Sequence, residues 1–231
     1  MVLLVVLLVL GAVLVVADVV ASRIAERGIA ERVQQTGDLR AQPEVEVRGR
    51  PFLAQALRGR YDDVVVRSAD VPAGQLGFSS LVTQLRGVQV PLRQLLSGAS
   101  APVPVSSLSA RAVVSYDALT RSVADRGLRV VGAEEGRVRV TGSVEVLGRT
   151  LEATAVSRAE LEGGEIVVTA ERFEVGSSVA DALLSRALGN RLDFRVALGE
   201  LPYGLALTSL RAGPEGVVVT ADATDTVLTP R

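Results

Sequence analysis

The sequence predicts an α+β fold: long antiparallel strands with two or three helices against their apolar face, preceded by an apolar N-terminal helix. Three observations carry this. Residues 1–17 contain no charge. From Leu128 to Phe173, apolar and charged residues alternate in runs separated by glycine-containing turns, as in an antiparallel sheet wetted on one face. Val, Leu and Ala supply nearly all of the 48% hydrophobic content, with aromatics at 3%. Valine in particular favours pleated, half-buried surfaces.

The first element is Met1 to Ala17, MVLLVVLLVLGAVLVVA, ended by Asp18 and extended by Val19, Val20 and Ala21. A spanning helix needs about 17–25 apolar residues, a signal-peptide core about 7–15. Residues 1–21 therefore read as a signal peptide or a membrane-anchor helix, with Ala17 and Ala21 as the small residues at which cleavage is conceivable. Either reading places the remainder on the extracytoplasmic face of the cell membrane. Residues 22–37 continue as an amphipathic helix or stalk, with Val20, Ile24, Ile29 and Val33 as a rough apolar stripe and Gly37-Asp38 as its end. No linker-like segment divides residues 38–231, which read as one domain.

Within that domain, Glu44–Arg48 alternates strictly and predicts a strand. Pro51–Leu57 predicts a short helix, with Pro51 as its first residue and Phe52/Ala56 and Leu53/Leu57 paired along it. Tyr61–Val71 and Gln75–Val90 predict strands, Pro91–Leu96 a second short helix, and Val103–Tyr116 a long strand. Asp117–Asp125 predicts a helix capped by Asp117 and closed by Gly127. Strands follow at 128–131, 136–146, 150–161 and 165–173. Ser177–Arg191 predicts the most amphipathic helix, capped by Ser178. The closing strands are 193–198, 205–210 and 217–220.

Counts of zero bound the chemistry. The chain has no Cys, His or Trp, and all 25 basic residues are Arg. Disulfides, thiol and imidazole catalysis, cysteine zinc sites and lysine Schiff bases are excluded. A lipobox cysteine is absent as well. No phosphate-binding glycine loop and no GxSxG occur. Asp62-Asp63 and Glu134-Glu135 are the nearest carboxylate pairs. The first has its side chains on opposite faces of a regular strand, and the second sits in a turn. Asp222 and Asp225 lack the oxygen spacing of a cation loop. The expectation is a non-enzyme without cofactor or metal. A net charge of -1 argues for no nucleic-acid partner.

Four blocks carry a resemblance. They are Pro51-Phe52-Leu53 with Arg60-Tyr61-Asp62-Asp63-Val64; Arg86-Gly87-Val88-Gln89-Val90-Pro91-Leu92; Val114-Ser115-Tyr116-Asp117-Ala118-Leu119; and Leu201-Pro202-Tyr203-Gly204-Leu205 with Leu207-Thr208-Ser209-Leu210. Their order behind an apolar helix resembles the LmeA-type phospholipid-binding family of exported actinobacterial proteins, over roughly residues 5–228. The resemblance implies a fold similar to the tubular lipid-binding superfamily: a long curled antiparallel sheet wrapped around one or two helices, with Ser177–Arg191 as the wrapped helix.

It also implies phospholipid binding outside the cytoplasmic membrane. The function expected is that of an exported envelope protein holding a phospholipid or a lipid-linked glycan intermediate in an apolar groove, in support of envelope glycolipid assembly or lipid transfer. The alternative is a structural or interaction module that scaffolds envelope enzymes through its charged sheet face. The partners expected are the lipid and the cytoplasmic membrane. The candidate lining or mouth residues are Phe52, Leu53, Leu57, Phe78, Leu92, Leu95, Leu96, Leu183, Leu184 and Leu188.

Overall fold

The computed structural model describes residues 1–37, 39–73, 76–91, 93–94, 101–146, 149–174, 192–198 and 201–229. It begins with one continuous 35-residue helix, α1 (Val2–Thr36). Every large apolar side chain from Met1 to Val16 is more than half exposed. The remainder of α1 lies along the domain, with Asp18 and Ala30 buried and Ala21, Ala25 and Ile29 packed against a core cluster.

This docking face shares Ile29 with the expected stripe and otherwise differs from it. Val20 and Ile24 are 51% and 65% exposed. The docked residues recur at helical spacing but are mostly small or acidic. Small side chains permit close approach, and two carboxylates accept backbone donors from the domain. Asp18 Oδ1 accepts the Leu53 N–H at 2.7 Å, and Glu26 Oε1 accepts the Val47 N–H at 3.0 Å.

The first sheet has six strands. β1 (Glu44–Arg48), β2 (Arg60–Ala73), β3 (Leu76–Gln89) and β4 (Val103–Ser115) are joined by the last two strands of the chain, β10 (Ala206–Ala212) and β11 (Gly216–Leu228). Their spatial order is β1-β2-β3-β4-β11-β10, antiparallel throughout. β1 is an edge, and edge strands present unpaired N–H groups. Glu26 satisfies the one on Val47.

The second sheet is a meander of β5 (Leu128–Gly132), β6 (Val138–Val146), β7 (Arg149–Glu162), β8 (Glu165–Phe173) and β9 (Phe194–Ala197). Long antiparallel strands curling through two sheets, behind an apolar helix, are the expected α+β class.

Two short helices punctuate the strands. α2 (Phe52–Arg58) has Pro51 as an extended cap rather than as its first residue. Proline brings no side-chain acceptor, and Asp18 supplies one from 35 residues away. α2 ends at Gly59, whose left-handed φ of 65° suits glycine. α3 (Tyr116–Ser122) is capped by Ser115, whose Oγ accepts the Ala118 N–H. Asp117 therefore lies in its first turn and is not the cap. The helix breaks at Val123, and a 3-10 turn, Ala124–Arg126, completes the segment.

β11 runs eight residues beyond the expected Thr220, paired to Val103 at its far end. Its polar continuation shows no apolar alternation because its length is set by the partner strand β4. The predicted helices at 91–96 and 177–191 lie outside the described residues, apart from Pro91, Arg93 and Gln94.

Among the described residues the core falls into two clusters. One cluster lies under α1 and α2 and includes Val45, Val47, Phe52, Ala56, Tyr61, Leu85, Val88, Val105 and Leu108. The other joins α3, the far end of the first sheet and the inner face of the second. It includes Val114, Leu119, Val138, Val140, Ile166, Val168, Leu192 and Val217.

Candidate functional site: an apolar seam between two sheets

The β7–β8 hairpin turns through Gly163 and Gly164, both left-handed with φ of 56° and 86°. A Cβ on either would meet open space, so conformation, not crowding, selects glycine there. Leu161 precedes the turn. Across from it runs the segment leading into β10, with a tight turn at Pro202–Gly204 in which Tyr203 has φ 61°. Leu201 and Leu205 flank this turn, and Leu207 lies on β10.

These elements flank an open depression of about 370 Å³, lined by Leu161, Gly163, Gly164, Leu201, Leu205 and Leu207. All four leucines are half-buried. Leu205 packs on the cluster under α1 and α2, and Leu207 on the other. The cavity therefore sits where the two cores meet.

Its chemistry is that of its walls. The nearest acids, Glu162 and Glu165, are engaged by Arg195 at 3.2 and 3.6 Å. The lining exposes polar atoms as well as the leucine side chains, and the latter offer no directional contact. They reward burial of any apolar group in proportion to area. The volume falls in the range of about 300–1,000 Å³ typical of ligand pockets.

A second depression, of about 300 Å³, is different in kind. It lies along β3, β4 and β11 and is lined mainly by polar side chains, among them Gln84, Arg86, Ser107, Ser109 and Asp222. Hydrogen bonds from the Ser109 and Thr208 hydroxyls hold the Asp222 carboxyl below the usual carboxylate range.

The carboxylate candidates are separated by their partners. Asp63 accepts two hydrogen bonds from Gln84, at 2.9 and 3.0 Å, and faces Arg48 at 3.7 Å. The Asp62 N–H donates instead to Gln55. Among the described residues, no three His, Cys, Asp or Glu side chains group closely enough to hold a metal. The charged face of the second sheet is also internally paired. Glu171 accepts from Arg137 at 2.8 Å and from Arg158 at 2.6 Å, and Arg139 bonds Glu174 twice at 3.0 Å.

The expected lipid-contacting residues are dispersed. Phe52 is buried, its ring 6.0 Å from that of Tyr61. On the other side of α2, Leu53 and Leu57 are 36% and 76% exposed. Phe78 packs on the other cluster, near the β2–β3 hairpin end and roughly 35 Å along β3 from Gln89 at about 3.3 Å per residue. Leu92, Leu95, Leu96, Leu183, Leu184 and Leu188 lie outside the described residues.

The four seam leucines were not singled out from the sequence as lining. Three of them stand in the 201–210 block that carried the resemblance. The available signal was a set of leucines flanking tight turns, where a strand core has no need of them.

Neither a curated protein nor a solved structure matches the chain. A family model described as LmeA-like phospholipid-binding matches residues 16–222, from the end of the apolar run into β11. Its span takes in α2, both sheets and every residue of the leucine seam. The chain belongs to the LmeA-like phospholipid-binding family.

Proposed function

We propose that this protein binds a phospholipid or a lipid-linked glycan intermediate with an acyl segment in the seam between its two sheets. In this reading α1 holds the domain at the extracytoplasmic face of the cell membrane, and the bound lipid serves envelope glycolipid assembly or lipid transfer. The observation that carries the reading is the leucine-lined cavity at the junction of two separate cores. A binding site in a continuous core would displace packing. A site at a seam can fill and empty without disturbing either side. Each methylene buried from water contributes about 0.8 kcal/mol, so retention rises with the length of acyl chain the seam covers.

Support for the anchor comes from α1. It contains a run long and apolar enough to cross a membrane, and its large apolar side chains up to Val16 are more than half exposed. Its second half is built into the domain. The test is exchange of a fluorescent phospholipid into delipidated full-length protein in detergent. Saturable uptake is expected, and Leu205→Trp, which fills the cavity, is expected to abolish it. Uptake that is absent in wild type, or unchanged in the filled variant, rejects the assignment.

A further inference from the structure

Asp18 is the first charge after the apolar run, and it fixes where α2 sits. Its Oδ1 accepts the Leu53 N–H at 2.7 Å, which holds the start of α2 level with the end of the bare apolar helix. Gln55 locks α2 from the other side. Its Nε2 donates to the carbonyls of Gly49 and Arg48 at 2.6 and 3.3 Å, and its Oε1 accepts the Asp62 N–H at 2.9 Å. The C-terminal end is tied down by Gly59, whose carbonyl accepts the Val90 N–H at 2.9 Å. α2 is therefore a fixed ledge.

Its inner face, Phe52, Gln55 and Ala56, is buried in the domain. The opposite face carries Leu53 and Leu57. On α1, Val20 and Ile24 are likewise turned away from the domain. Apolar surface thus continues past Asp18 on both helices.

Arginines surround it. Arg23, Arg27, Arg50, Arg58 and Arg60 are all exposed. Of the nearby acids, Asp18 and Glu26 are taken by backbone donors, and Glu31 and Asp62 are exposed, against the five arginines. Leucines beneath a belt of arginines match an interfacial helix, with apolar side chains in the upper acyl region and cations among the phosphates.

We propose that α2 is a membrane-interface foot: Leu53 and Leu57 lie in the leaflet that α1 enters, and the arginine belt rests at its phosphates. This rests on α1 being a membrane anchor. The foot sets the height and tilt of the domain, and brings the α2 end of the first sheet onto the lipid surface.

The absence of native tryptophan permits a clean test on the full chain reconstituted in phospholipid nanodiscs. Single variants L57W and L53W report the foot, V9W the span, and V131W the distant second sheet. Leu57 and Val131 are exposed in the fold, so neither change burdens the core. The expected result is a blue-shifted L57W and L53W emission, quenched by brominated lipids most strongly at shallow positions, about 5–10 Å into the headgroup–acyl boundary. V9W is quenched most strongly by deep bromines, and V131W only by aqueous iodide. A quenched V9W with L57W and L53W as iodide-accessible as V131W overturns the foot and leaves the anchor. A V9W untouched by bromolipids overturns both.

Discussion

Asp18 carries more structure than its place at the end of a hydrophobic run suggests. A first-turn N–H has no partner within its own helix, and Pro51 cannot supply one, so α2 depends on a carboxylate from α1. Asp18→Ala is expected to destabilise the domain by about 1 kcal/mol, while Asp18→Asn keeps most of the stability because asparagine caps comparably. Denaturant titration of both variants in the same detergent measures the difference.

Tyr61 presents the opposite case. Its hydroxyl is buried with no hydrogen-bond partner among the described residues, and burial raises its pKa. Removing an unsatisfied buried polar group is neutral or favourable, so Tyr61→Phe is expected to leave Tm unchanged or higher. A clear drop would reveal a partner for the hydroxyl.

Glu171 adds a pH dependence. Hydrogen bonds from Arg137 and then Arg158 hold its carboxyl below the ordinary 4.5. A folded-state pKa below the unfolded one stabilises above the unfolded value and is lost as pH falls through the folded one. Between neutral pH and values below 4.5, wild type should lose slightly more Tm than Glu171→Gln. The effect is small because the pair is solvent-exposed.

At the scale of elements, α1 joins a run long and apolar enough to cross a membrane to a component of the domain. Asp18, Glu26 and Ala30 belong to the fold, whereas Met1–Val16 touch nothing of it. A chain beginning at Asp18 is expected to keep a cooperative melting transition and leave the membrane fraction. One beginning at Gln34 should lose the transition, since it uncovers the cluster beneath α1 and leaves the Val47 N–H of the edge strand unpaired.

The strands were legible where their own patterning decides them. β1 and β8 match the expected 44–48 and 165–173 residue for residue. The docking face of α1 was legible only at Ile29. Apolar periodicity also selected Val20 and Ile24, whereas close packing and backbone acceptors selected Ala, Asp and Glu. The cap of α3 was also misplaced, because Ser115 and Asp117 are both good caps and only the backbone shows where the helix begins. The length of β11 depends on β4 and leaves little trace in TADATDTVL.

For the whole molecule, the division into two cores matters most. The division itself was not visible in the sequence, because valine-rich strands serve either cluster equally well. Most of the seam leucines were hidden for the same reason: Leu161, Leu205 and Leu207 read as ordinary strand residues until the Gly163-Gly164 turn is placed across from the segment leading into β10. Membership of the LmeA-like phospholipid-binding family suggests a lipid as the ligand.

The most direct measurement is native mass spectrometry of the full-length protein, extracted gently from the membranes of its host, alongside Leu205→Trp. A phospholipid-sized adduct at one per chain is expected on the wild type and absent from the filled variant, with both melting at similar temperatures. A wild type that carries no lipid, or a filled variant that carries as much, contradicts a binding site at the seam.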